Sequence, residues 1–148
     1  MGTSGSRPVP VRSPVPAGKV RICVAGFTLS HHTGRARKLA DAIVKAQPSK
    51  YESWFYFDTK TYQKEFLPVL KAELPPDQQE LFKTHKSSPF CWLEHADGTK
   101  DAKGGRDRLC EWAIKEFPSD DTIQKLCATQ PSLVEAWVDE APGTAASS

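Results

Sequence analysis

With 148 residues, 39% of them hydrophobic, the chain can bury one ordinary core and has no room for a second independent domain. No apolar run approaches the ~18 residues of a membrane-crossing helix, so the sequence reads as that of a soluble protein. A formal net charge of +2 says little alone, but Arg7, Arg12, Lys19, Arg21, Arg35, Arg37 and Lys38 all precede the first acid, Asp41. The N-terminal quarter is expected to be a positive surface. Dispersed charges of this kind usually form a solvated face, and nucleic acid is not expected as a partner.

Residues 1–18 are rich in Pro, Ser and Gly, with Pro8, Pro10, Pro14 and Pro16 spaced through them. They read as an extended arm that cannot fold alone, and they lack the apolar core of a secretory signal. The folded part starts at Lys19. Val20 to Phe27 is a short apolar run of the buried, parallel-strand type. A helix is expected from about Thr33, with Ala36, Leu39, Ala40, Ile43 and Val44 inward and Arg35, Arg37, Lys38, Asp41 and Lys45 outward, until Pro48 stops it. Trp54 to Phe57 is the second strand, so a right-handed parallel crossover is implied.

A second helical region runs from Thr61 to about Leu74, kinked at Pro68, and a further turn or two follows Pro75-Pro76. Ser87 to Glu94 is a strand entered through Ser88-Pro89. Asp97-Gly98 signals a hairpin into Thr99–Lys103, which makes this half of the sheet antiparallel. After Gly104-Gly105 a helix is expected over Arg108–Phe117, with Asp107 in its first turn. Two short helices, Asp120–Ala128 and Pro131–Asp139, precede a polar tail at 142–148.

The centre of interest is the turn Ser30-His31-His32-Thr33-Gly34, between a buried strand and the start of a helix. Unpaired N–H groups at such a junction favour an anion or a thiolate. The cysteines Cys23, Cys91, Cys110 and Cys127 all lie elsewhere, without redox or zinc spacing. They read as reduced and mostly buried, which suits an intracellular setting. No metal site is expected: two adjacent histidines, even with His85 or Cys91 as a third ligand, make a poor donor set. A general-base role for His31 or His32 lacks a nucleophile beside it.

The order β-α-β-α-β-β-α, with Phe27-Thr-Leu-Ser30, Ser88-Pro89 and Gly104-Gly105-Arg106-Asp107 at fitting distances, resembles a glutaredoxin of the thioredoxin superfamily over Val20 to Phe117. The resemblance implies an α/β, thioredoxin-like fold of glutaredoxin type: a four-stranded mixed sheet flanked by helices, with an N-terminal arm (1–18) and a C-terminal helical extension (119–141) outside the domain (19–118). It implies a cis Ser88-Pro89 peptide packed against the His31-His32 turn, its Ser88 backbone open to an extended peptide or glutathione. Ser88, Pro89, Gly104, Gly105 and Asp107 then form a glutathione-like binding set, Asp107 facing the γ-glutamyl ammonium.

The departure from the family pattern governs the functional expectation. Aligned on Phe27 to Ser30, the nucleophilic cysteine falls at or next to His32 and the second cysteine near Arg35. Imidazole cannot form a mixed disulfide, so Ser30, His31, His32, Thr33 and Arg35 make a degenerate site. No catalytic residue and no cofactor is expected, glutathione being the one candidate ligand. The expected function is a redox-inactive structural or protein-binding subunit that engages other subunits through its arm and C-terminal helices, in the cytoplasm ahead of an organelle, for example in a cytoskeletal or axonemal lattice. The alternative is a glutathione-dependent oxidoreductase working through Cys91, a transferase, or a glutathione sensor.

Overall fold

The structure, a computed structural model, describes residue 10 and residues 12–146. Five strands form one mixed sheet in the order β4-β3-β1-β2-β5. β1 (Val20–Gly26) runs parallel to β2 (Tyr51–Phe57) and antiparallel to β3 (Phe90–His95), which pairs in turn with β4 (Lys100–Gly104). The expected crossover and hairpin are both present. This four-strand arrangement, flanked by helices, is compatible with a thioredoxin-like fold.

The fifth strand is a correction. Ala141–Ala146 (β5) pairs antiparallel with β2, where a polar tail was expected. Low side-chain hydrophobicity did not matter there, because an edge strand is held by backbone hydrogen bonds that any non-proline residue can make. Only residues 147 and 148 of that tail lie outside the described residues.

α1 (His31–Ala46) packs on one face of the sheet with α4 (Arg106–Glu116) and α5 (Asp121–Ala128). Ser30 caps α1, its Oγ accepting the Thr33 N–H at 3.2 Å, so the helix begins two residues before the expected Thr33. Ala36, Leu39, Ala40 and Ile43 are fully buried against β1, as their spacing requires. Each buried Leu or Ile contributes about 1.5–3 kcal/mol. Arg35 departs from the pattern. It was expected to face solvent and is buried.

The opposite face is covered by a π-helical turn at Tyr62–Phe66, by α2 (Leu67–Ala72) and by α3 (Pro76–Leu81). Tyr62, Phe66, Leu67 and Leu70 are buried here beside Trp92 and Phe90. Pro68 stands in the first turn of α2, where its missing N–H is tolerated. The expected Pro131–Asp139 helix is reduced to a single 3-10 turn at Leu133–Glu135. The backbone after that turn bonds to the Thr28–Ser30 turn instead of continuing a helix, through Ala136 and Val138.

The described part of the N-terminal arm lies on its own domain. Arg12 sits over the rings of Trp54 and Trp92, 5.2 and 5.8 Å from their centroids, and its guanidinium bonds Glu94 at 2.8 Å and Glu73 at 2.6 Å. Arg21 bonds Glu52 at 2.6 Å and the Ser13 carbonyl at 2.8 Å. The expected positive N-terminal surface is therefore largely cancelled. Arg12, Arg21 and Arg35 are paired with acids far along the chain, and Arg37 pairs with Asp41 at 3.0 Å. Arg7 lies outside the described residues, as does any contact the first nine residues make.

Candidate functional site: the His31-His32 turn

At the C-terminal end of β1 the turn Phe27–Ser30 is held from three sides. The Thr28 N–H donates to Thr59 Oγ1 at 3.0 Å, and the Asp58 N–H to the Gly26 carbonyl at 3.1 Å. Ser88 Oγ accepts the Phe27 N–H at 2.9 Å and forms a short hydrogen bond with Thr33 Oγ1. Ser88-Pro89 is a cis peptide and packs against this turn. A Cβ on Gly26 would collide with both Ser88 Oγ and Thr33 Oγ1, so a side chain there would force the three segments apart. Thr33 thus works as a bridge to Ser88 and leaves the capping to Ser30.

The Ser87–Pro89 loop is fixed from behind. Tyr62 Oη donates to the Ser87 carbonyl at 2.6 Å, and His85 Nε2 lies 3.1 Å from that carbonyl and 3.2 Å from the Pro89 carbonyl. Carbonyls only accept, so Nε2 carries the proton. Among the described residues the Ser88 backbone N–H and C=O take no hydrogen bond.

The third side is the C-terminal segment. Leu29 and Trp137 form an antiparallel bridge. The Ser30 N–H donates to the Ala136 carbonyl, and the Val138 N–H to the Thr28 carbonyl at 2.8 Å. A Cβ on Gly34 would land on the Glu135 carbonyl, so this close approach requires glycine in the first turn of α1. At the next residue, Arg35 Nε and Nη2 each bond a Glu135 carboxylate oxygen at 2.9 Å, while Nη1 reaches the Leu126 carbonyl and, at 2.7 Å, Thr129 Oγ1. Burial pushes the Glu135 carboxyl up. The Arg35 hydrogen bonds, the Ser132 N–H and the charges of Arg35 and Lys38 outweigh it and hold the group down at about 2. Sequence reasoning missed Glu135 entirely, since a Glu in a polar stretch gives no sign of a partner so far away.

His31 and His32 are both exposed at the start of α1. On the same turn and on the 133–138 segment bonded to it, four apolar side chains are exposed: Leu29 (65% exposed), Leu133 (82%), Val134 (86%) and Trp137 (61%). Three of these come from the C-terminal segment, which the resemblance does not cover. The result is an apolar ledge beside an N-terminal helix turn and an unpaired strand-like backbone.

No thiol stands at this opening among the described residues. Cys91 is fully buried in the core under α1 and α4, where desolvation pushes its pKa well up. Cys23 is fully buried on the opposite face of the sheet near Arg12. Cys110 and Cys127 lie between α4 and α5. Gly104 and Gly105 form the turn into α4, and Asp107 is exposed there, 3.2 Å from Arg106 Nη2. A cleft of about 430 Å³ lies at the other end of the sheet, lined by the arm, Glu73, Glu94 and Lys100, whose charges already pair with one another or with Arg12.

Compared with family models, curated proteins and solved structures, the chain matches none.

Proposed function

We propose that the chain is a glutaredoxin-type, thioredoxin-like domain without thiol exchange at its turn, serving as a protein-binding module in a larger assembly. The observation that carries this reading is the replacement of a thiolate by exposed imidazoles and an apolar ledge at the mouth of α1. Exposed Trp and Leu side chains gathered on a braced backbone are what a binding site uses as anchors. The ligand that fits is an extended segment of another protein, pairing with the Ser88 backbone and placing an apolar side chain on Leu29 and Trp137. An acidic residue beside that anchor complements the first N–H groups of α1 and the two histidines.

Peptide display against the folded protein tests the reading, with calorimetry on the selected sequences. Enriched peptides pair an aromatic or aliphatic residue with Asp or Glu, and Trp137→Ser weakens them about tenfold or more. Selection that is indifferent to Leu29→Ser and Trp137→Ser overturns it. Glutathione-dependent reduction of a small mixed disulfide, abolished by Cys91→Ser, would equally overturn it.

The open Ser88 backbone and the exposed Asp107 carboxylate support a second reading, glutathione binding without turnover. Calorimetric binding of glutathione that disappears in Asp107→Ala would establish that reading in place of the first.

A further inference from the structure

Away from the turn, α4 and α5 carry two thiols against each other. Cys110 is buried on the inner face of α4, and Cys127, partly exposed near the end of α5, packs against the same core. Arg106, one turn before Cys110, places Nη1 3.8 Å from the Cys110 sulfur. Its guanidinium is almost fully buried, and Nε has no hydrogen-bond partner. A buried cation with a spare N–H beside a sulfur is an arrangement that favours the thiolate.

We propose that Cys110 and Cys127 form a peroxide-responsive dithiol that closes into a disulfide joining α4 to α5. A hydrogen bond from Cys127 and the hydrogen bond and charge of Arg106 outweigh burial and hold the Cys110 thiol below its ordinary value. Cys127, as the donor to that sulfur, is pushed up and keeps its proton. The cation 3.8 Å from its sulfur makes Cys110 the nucleophile and leaves Cys127 as the resolving thiol.

The chemistry balances with hydrogen peroxide as the oxidant. The Cys110 thiolate attacks one peroxide oxygen: the S–O bond forms, the O–O bond breaks, and hydroxide leaves. The sulfur is now a sulfenic acid, oxidised by two electrons as the peroxide is reduced. The Cys127 sulfur then attacks the Cys110 sulfur, the S–O bond breaks, and the departing hydroxide takes the Cys127 proton as water. Two thiols and one peroxide become one disulfide and two waters. Cys127 is partly exposed, and peroxide is small enough to reach the pair from its side.

The disulfide would act on the turn through known contacts. The end of α5 and the residues after it hold Arg35 through the Leu126 carbonyl, Thr129 and the Gln130 carbonyl, and Arg35 holds Glu135 behind the apolar ledge. Tying α5 to α4 fixes the platform on which that segment rests.

The test is peroxide titration of the reduced, native protein followed by intact mass and peptide mapping. The expected result is loss of two hydrogens and a crosslinked pair of peptides joining Cys110 to Cys127. In Cys127→Ser a carbon-acid probe of sulfenic acids labels Cys110, and in Cys110→Ser neither the crosslink nor the label forms. An unchanged mass in folded wild-type protein, or a crosslink that uses Cys23 or Cys91 instead, overturns the proposal without recourse to any variant. Arg106→Met is the positioning control: it shifts the pH profile of Cys110 alkylation upward, whereas an unshifted profile overturns Cys110 as the activated thiol.

Discussion

Arg35 and Glu135, 100 residues apart in the chain, meet as a buried two-pronged ion pair directly beneath the candidate binding face. The pair fastens the C-terminal segment to the first helix at the place where the glutaredoxin resemblance puts a second cysteine.

Glu135→Gln leaves the Arg35 charge buried without its carboxylate and should cost about 3–5 kcal/mol of unfolding free energy, read by urea denaturation. Replacing both partners by apolar residues of similar size should cost much less, because no stranded charge remains. If the single and the double replacement cost the same, the pair is not the fastening.

Acid should loosen the same joint. Glu135 has its folded pKa depressed from 4.5 to about 2, so its contribution is complete above pH 4.5 and disappears as pH falls toward 2. Protection of the 133–138 amides from hydrogen exchange should decline across that window, and the Glu135→Gln variant should lack this component of the decline.

Gly34→Ala brings a methyl onto the Glu135 carbonyl, a backbone atom that cannot swing aside. The expected outcome is expulsion of the segment around Leu133–Val138 at a cost of about 1–3 kcal/mol, with protease cleavage there at concentrations that spare the wild type. Gly105→Ala, where open space surrounds the added carbon, serves as the control.

Arg12→Ala removes the cation between Trp54 and Trp92 and takes a partner from Glu94, whose carboxylate keeps the Trp92 indole N–H at 2.8 Å and Arg21 at 3.3 Å. A loss of about 1–3 kcal/mol is expected, together with a change in tryptophan emission as the arm detaches. Unchanged emission would show that the arm is not seated there.

Leu29→Ser and Trp137→Ser should leave stability within about 0.5 kcal/mol, since both side chains are mostly exposed, while lowering affinity for displayed peptides. A large loss of stability would assign these residues to packing instead of recognition.

Much of the frame was legible from local pattern. The spacing of Leu39, Ala40 and Ile43 marked α1, the apolar run Val20 to Phe27 marked the central strand, which ends one residue earlier at Gly26, and Asp97-Gly98 marked the β3–β4 hairpin. Such signals are local: a period of 3.6 or a turn dipeptide declares itself within a dozen residues. The absence of cysteine from the Ser30–Gly34 turn was equally plain, because an absence at a position needs no partner to be seen.

Tertiary structure decided everything that depends on two distant segments meeting. The Pro131–Asp139 stretch gave up a helix for one 3-10 turn because the backbone of Ala136 and Val138 bonds the Thr28–Ser30 turn, and residues 141–146 became an edge strand because β2 presented free backbone groups. Arg12, Arg21 and Arg35 read as solvated charge until Glu94, Glu52 and Glu135 were brought to them. The apolar ledge has the same origin: Leu29 alone is an ordinary exposed leucine, and it becomes part of a surface only when Trp137 pairs with it and the segment that also carries Leu133 and Val134 is bonded to its turn, contacts no local pattern encodes.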